Sequence, residues 1–242
     1  MSRVIEDESA ELAINDAIAS VGVTGYERAT PLYCAARSAV RLIGTIFQNL
    51  KVYNVTNVPL SGGVLLLSNH QSFVDPAFIA SKLPRKLSFL ARASLFDPIG
   101  FGWLIRQLNA FPVKQGKGDV GAMKQSIALL QQGKALLMFP EGQRTEDGKM
   151  QEIAPGAALI VKRAKVPIVP VAIQGAFDVW PKHRMFPRTG KVRINFGAPV
   201  ILHNLDSRAI IPEIERHIHD LLNDLHAIEE AERAPGLIGP LS

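Results

Sequence analysis

The sequence is almost without cysteine, with one, Cys34, in 242 residues. That excludes a disulfide framework and thiolate metal sites, and it fits a reducing compartment. Cys34 itself falls in an apolar helical pattern and reads as a packing residue. The chain also lacks a long apolar run. Its mean hydropathy is slightly positive, at +0.12. Yet the longest charge-free stretch, 52–74, contains Asn54, Asn57, Pro59, Gly62, Gly63 and Asn69, which no spanning helix would carry together. Residues 1–30 lack the apolar centre of a signal peptide, since Arg3 is followed by Glu6, Asp7, Glu8 and Glu11. Secretion by that route and an obvious membrane span are therefore not expected, whereas lying on a membrane surface is left open. No two of the six histidines have HExxH spacing. His217 and His219, two apart on a predicted helix, point in different directions, so no metal site is expected. No RRM, zinc-finger or helix-turn-helix signature occurs, and there is no internal repeat.

What is present is a chain 47% hydrophobic with a formal net charge of +5, large enough to bury a substantial core. The composition excludes disorder, collagen and coiled coil. The charge is uneven. Residues 1–30 hold six acids and two bases, and residues 31–242 hold 16 acids and 25 bases, a net of +9. A basic body suggests an anionic partner: nucleic acid, an anionic membrane or a phosphorylated substrate.

Residues 5–20 read as a polar helix. Pro31, well suited to a first turn, opens a second helix whose apolar stripe is Leu32, Ala36, Ala39, Val40, Ile43, Ile46, Phe47 and Leu50, with Arg37, Arg41 and Gln48 on another side. Such a helix either packs on a core or lies in a membrane interface. From Lys51 onward, predicted strands at 51–55, 63–68, 87–91, 110–113, 135–139, 167–173 and 191–196 alternate with predicted helices at 75–82, 94–108, 120–132, 155–164 and 207–230. This predicts an α/β fold, a central mostly parallel or mixed sheet flanked by helices and preceded by an N-terminal two-helix segment. The expected organisation is 1–50 as a helical, membrane-interfacial segment, 51–234 as the α/β domain and 235–242 as a loose tail. Pro167 and Pro170 mark the sixth strand as bulged or at an edge.

His70 follows the apolar run Val64-Leu65-Leu66-Leu67 and so sits past the C-terminal end of a buried strand, where open α/β sheets bind ligands. Asp75 lies five residues on. A turn of that length folds the carboxylate onto one ring nitrogen and leaves the other free as a base. The competing reading makes Asp75 an N-cap before Pro76. A second strand, 135–138, ends in Phe139-Pro140-Glu141-Gly142-Gln143-Arg144-Thr145. An Arg at that place can clamp a phosphate bidentately, and Gly142 lets a ligand or backbone approach closely. The competing reading is a surface turn.

Together and in this order, these blocks resemble the glycerolipid acyltransferase family typified by 1-acyl-sn-glycerol-3-phosphate acyltransferases. Asn69-His70-Gln71-Ser72-Phe73-Val74-Asp75 matches the family's NHxSxxD (HX4D) box. Asn109-Ala110-Phe111-Pro112-Val113-Lys114-Gln115 is similar to its second box, Phe139 to Thr145 to its FPEGTRS box, and Val166-Pro167-Ile168-Val169-Pro170-Val171 to its VPIVPV strand. The resemblance covers roughly residues 50–200. Box two departs from the pattern, with Asn109 for Gly and Gln115 for the Arg that helps bind the acceptor's phosphate.

The resemblance implies a fatty acyl group passing from an acyl thioester, acyl-CoA or acyl carrier protein, to the hydroxyl of a lysophospholipid, with no cofactor or metal. The leading acceptor is 1-acyl-glycerol-3-phosphate, giving phosphatidic acid, and the alternatives are other lysolipids or glycerol 3-phosphate. A hydrolase using the same site and a non-enzymatic lipid-binding protein are the competing functions. His70 would be the general base and Asp75 its orienting partner. Glu141 would meet the acceptor's hydroxyls and Arg144 its phosphate, beside Gly142, with Lys114 or Lys117 standing in for the missing Arg. A thiol leaves readily, but the oxyanion needs donors; backbone N–H groups near the start of the helix after Asp75, or near Gly142, are the candidates. Ser72 offers a minor acyl-serine route. Lys82, Arg85, Lys86 and Arg92 are candidates to meet an acidic surface, lipid or acyl carrier protein. Leu95, Phe96, Ile99, Phe101, Trp103, Leu104 and Ile105 line an acyl groove, touch lipid or pack in the core. The expected partners are then lysophospholipid, acyl donor and an anionic membrane surface rather than nucleic acid, and the expected location is peripheral, on the cytoplasmic face of a membrane.

Overall fold

A computed structural model describes residues 29–113 and 120–233. Among these, seven strands form one sheet: β1 (Lys51–Tyr53), β2 (Val64–Ser68), β3 (Leu87–Arg92), β4 (Ala110–Val113), β5 (Ala135–Met138), β6 (Ile168–Gln174) and β7 (Arg193–Phe196). Their order is β1-β7-β6-β2-β5-β3-β4. The run from β6 to β4 is parallel. β7 is antiparallel to β6, and β1 is parallel to β7. Helices α1 (Pro31–Gln48), α2 (Asp75–Lys82), α3 (Phe101–Gln107), α4 (Val120–Gln131), α5 (Gly156–Ala164), α6 (Ala176–Val179) and α7 (Ser207–Arg233) flank the sheet.

The sheet's centre is decided by sequence. Val64, Leu65, Leu66 and Leu67 are all fully buried, the unbroken apolar run of a strand covered on both faces. Alternation divides them. Val64 and Leu66 join Phe78 and Ile79 of α2 in one core. Leu65 and Leu67 join Leu130 of α4, Ile160 of α5 and Ile214 of α7 in the other. Burying each such leucine contributes about 1.5–3 kcal/mol.

All seven strands fall within two residues of their predicted bounds, and of the two readings of the sixth strand, bulged or at an edge, the structure has the bulge. β6 is interior, between β7 and β2, despite Pro170. The Pro170 nitrogen faces the β7 side at a bulge. From Ala172↔Asn195 to the isolated bridge Ile168↔Val200, β6 advances four residues and the opposing chain five. The ladder hydrogen bond that Pro170 cannot donate is therefore not required, and its carbonyl accepts from Gly197 N–H at 2.8 Å. The single helix expected over 94–108 is broken into a 3-10 turn at Ala93–Phe96 and α3. Pro98 and Gly100, the latter at φ +92°, interrupt it. α6 was not anticipated, being one turn long.

α1 packs the other way round from its pattern. Thr30 caps it by accepting from Tyr33 N–H. Tyr33 is buried and its hydroxyl accepts from Leu87 N–H. Arg37, read as solvent-facing, donates to the Leu83 carbonyl at 2.7 Å. Gly44 allows the close approach: a Cβ there would stand 3.0 Å from Leu50 and 3.4 Å from the Phe78 ring. Of the apolar stripe, Val40 and Leu50 meet the core, whereas Ile43, Ile46 and Phe47, and beside them Leu42, are 51–64% exposed. No helix among the described residues is long and apolar enough to cross a membrane. The helix expected over 5–20 and the tail expected over 235–242 lie outside the described residues.

Candidate active site

The C-terminal ends of the parallel strands share one edge, and the loops that leave β2 and β5 meet there. Asn69 fixes the first. Its side-chain amide donates to the Ile173 carbonyl at 2.9 Å and its Oδ1 accepts from Ile173 N–H at 2.8 Å. The side chain thus imitates one more backbone pairing between β2 and β6, and the chain beyond Asn69 must leave the sheet.

His70 and Asp75 are brought together: His70 Nδ1 lies 2.8 Å from Asp75 Oδ2. The same oxygen accepts from the backbone N–H groups of Gln71 at 2.6 Å and Ser72 at 2.7 Å. Asp75 is fully buried. It is therefore no simple N-cap; Val74 occupies that position, and the carboxylate of the first helical residue turns back into the preceding loop. With Asp75 ionised, Nδ1 carries the ring proton and Nε2 is left as a base. Phe139 stacks on the imidazole at 3.8 Å between ring centroids and 15° between planes, which holds the ring's orientation.

Glu141 is buried, and both its oxygens are engaged. Oε1 accepts from His70 N–H and Oε2 from Gln151 N–H, each at 2.7 Å. Thr145 N–H completes the link by donating to the His70 carbonyl at 2.9 Å. In this arrangement Glu141 ties the two loops together rather than presenting its carboxylate to an acceptor hydroxyl. Burial raises its pKa to about 7, opposed by the two backbone donors and reinforced by the charge of Asp75. The folded chain therefore keeps a proton that the unfolded chain gives up near the ordinary value of 4.5. Stability should fall as pH rises between those two values and the penalty should be complete above the higher one. Glu141→Gln should shrink the difference in unfolding free energy between about pH 5 and about pH 8, measured by urea denaturation. An undiminished difference would assign the titration to another group.

Gly142 has φ +72°, and nothing lies within 4 Å of where its Cβ would stand. The turn needs glycine for its backbone, and the space beside it is open. Its own N–H donates to the Phe139 carbonyl, and those of Gln71 and Ser72 are taken by Asp75. Of the oxyanion donors expected near the start of α2 or near Gly142, the Gly142 N–H itself is thus engaged. The neighbouring N–H groups of Gln143 and Arg144 have no partner among the described residues.

Arg144 makes no hydrogen bond or ion pair among the described residues. Its pKa is lowered by burial and by Arg92, and raised by Asp75. Arg92 ends β3, which pairs with β5, so two guanidiniums from neighbouring strand ends repel each other. Sequence reasoning gave Arg92 only a surface role. The missed signal was its position at the C-terminal end of a strand, the same rule that had selected His70. Lys114, Lys117 and Gln115 lie outside the described residues.

Other expectations change. Arg85 is buried and donates to the carbonyls of Pro59 and Gly133, so it braces the fold rather than meeting an acidic surface. Ser72 is buried and donates to the Trp180 carbonyl at 2.7 Å, a brace rather than a nucleophile. The apolar segment divides, with Phe96 and Ile105 in a small core while Ile99, Phe101 and Trp103 are exposed. No group of three or more His, Cys, Asp and Glu converges among the described residues.

The chain is similar to known proteins in sequence and fold. Residues 49–174 match the family model described as Acyltransferase. The 1-acyl-sn-glycerol-3-phosphate acyltransferase of Bacillus subtilis is 31% identical over 76% of this chain and 87% of its own. That of Streptococcus pneumoniae is 31% identical over 69% and 61%. The crystal structure of the 1-acyl-sn-glycerophosphate acyltransferase PlsC from Thermotoga maritima superposes with a TM-score of 0.72 at 26% identity, covering 81% of this chain and 80% of that one.

Proposed function

Because this chain belongs to the acyltransferase family, and is an acyltransferase, we propose that it moves a fatty acyl group from acyl-CoA or acyl carrier protein to the free hydroxyl of 1-acyl-glycerol-3-phosphate. The observation that carries this reading is the His70–Asp75 pair beside two arginines, Arg144 and Arg92, close enough for each charge to act on the other. The names of the relatives support the same acceptor.

An alcohol is a weak nucleophile near neutral pH, so His70 Nε2 takes its proton as it attacks the thioester carbonyl. Asp75 stabilises the imidazolium that forms. The oxyanion collects on backbone donors of the Gln143–Arg144 turn. Collapse expels the thiolate, a good leaving group, and His70 returns its proton. No acyl-enzyme is needed, consistent with the engagement of Ser72. Arg144 and Arg92 hold the phosphate, with Arg92 supplying the second cation that Gln115 does not.

The enzyme works peripherally at a membrane, on the cytoplasmic face. The exposed Leu42, Ile43, Ile46 and Phe47 of α1 favour this, since apolar residues side by side on one face of a surface helix are the pattern of an interfacial helix.

A panel of acceptors with one acyl-CoA, read by lipid mass spectrometry, tests the reading. Transfer to 1-acyl-glycerol-3-phosphate is expected; transfer confined to acceptors without a phosphate monoester would overturn it. Arg144→Ala should lower kcat/KM for the phosphate acceptor about 10- to 100-fold, the worth of a charge-assisted contact. It should not lower stability, because one of two repelling cations is removed. Equal losses with a phosphate-free lysolipid would exclude Arg144 as a phosphate contact.

A further inference from the structure

The segment after α6 forms a closed loop that the reaction does not use. Arg188 N–H donates to the Val179 carbonyl at 2.8 Å and closes its base. Within it, Arg184 N–H donates to the Pro181 carbonyl and Trp180 Nε1 donates to the Arg184 carbonyl at 2.9 Å. The loop is thus internally braced, and its tip is apolar: Met185 is 78% exposed and Phe186 72%. Residues 179–191 contain Lys182, Arg184, Arg188 and Lys191 and no acidic residue. Lys182 pairs with Glu146 at 3.0 Å.

Both feet of the loop are tied to places already described. At one foot the Trp180 carbonyl accepts from Ser72 of the His70 loop, and the Trp180 ring meets Phe73 edge-on, 6.1 Å between centroids. Just beyond the other, Gly190 N–H donates to the Phe47 carbonyl and Val192 N–H to the Gln48 carbonyl, at the end of α1 that carries the exposed Ile43, Ile46 and Phe47. Two adjacent large apolar side chains at the tip of a braced loop, ringed by cations, suit an anionic bilayer. The side chains enter the acyl boundary while the cations meet lipid phosphates.

Resting on the acyltransferase reading, we infer that the 180–188 loop is a second bilayer contact, Met185 and Phe186 entering an anionic membrane beside α1 and holding the His70 site against it. Two contacts on different elements fix an orientation, which one helix lying in the interface does not.

The test is M185S/F186S in the full chain, floated with vesicles of phosphatidylcholine alone and of phosphatidylcholine with phosphatidylglycerol. Wild type should favour the anionic vesicles. The variant's partition to them should fall roughly tenfold or more, as expected for losing two partly inserted side chains. L42S/I46S on α1 serves as the comparison. Acyl transfer to a short-chain, monomeric acceptor, assayed without vesicles, should be unchanged by M185S/F186S, which also verifies folding. Undiminished partition of M185S/F186S, with partition lost in L42S/I46S, would overturn the loop's role. Absence of transfer by the wild type in the monomeric assay would instead overturn the acyltransferase substrate reading, and leaves the flotation result to stand separately.

Discussion

His70→Ala is expected to lower kcat for acyl transfer by roughly 10²- to 10⁴-fold, the range that a positioned general base contributes. Three features make this the largest single effect. The Nδ1 proton is fixed by Asp75 at 2.8 Å, the ring is held by Phe139, and no other imidazole belongs to the constellation. The fold should survive. The links from this residue to Glu141 and Thr145 run through its backbone N–H and carbonyl, which alanine retains. Thermal unfolding should therefore change little while KM for the acceptor stays near the wild-type value. Activity within a few-fold of wild type would remove His70 from the proton transfer and with it the mechanism.

Asp75 should be second in effect, and its two substitutions should behave differently. Asp75→Ala removes the acceptor for the N–H groups of Gln71 and Ser72 as well as for His70. Each buried donor left unpaired costs about 1–3 kcal/mol, a large share of a domain's net stability. This variant should lose activity and unfold at markedly lower denaturant. Asp75→Asn keeps an oxygen for the backbone donors but removes the charge that stabilises the imidazolium. It should fold nearly as well as wild type and still lose about 10²-fold or more in kcat. Comparing urea midpoints with single-turnover rates separates the two effects. Equal destabilisation and equal rate loss in both variants would mean that Asp75 acts through the fold alone.

The pair also shows how far residue order carries. The spacing of His70 and Asp75, after an apolar run and before Pro76, was enough to propose a dyad, because the loop is local and five residues can close on themselves. The strands were legible for a related reason. A strand covered on both faces must be apolar throughout, so Val64 to Leu67 announce it. α1 was legible as a helix but not as a packed one. Its pattern gathered Ile43, Ile46 and Phe47 on one apolar face, to be packed on a core or laid in a membrane interface. Burial was decided by the small Gly44 and by hydrogen bonds to Leu83 and Leu87, which lie far along the chain.

Arg92 and Glu141 make the same point at the site. In sequence Arg92 is one cation among several and Glu141 the neighbour of an arginine. Only the crossing order of the strands puts Arg92 beside Arg144, and only the folding of the 139–151 segment against the His70 loop turns Glu141 into a clasp. Pro170 marked a bulge or an edge because proline lacks a donor. The structure tolerates it inside the sheet because a bulge removes the partner.

The sequence by itself determined what depends on neighbours along the chain: the apolar strands, the dyad-bearing loop, the glycine turn at Gly142 and the absence of a spanning helix among the described residues. The tertiary structure alone decided what depends on residues brought from far apart: which face of α1 is covered, which arginines share a site, and which apolar tips stand exposed beside it. The division is physical. Propensity and burial act through local periodicity, whereas pairing of charges, satisfaction of buried donors and exposure of a surface depend on topology, which no single segment encodes.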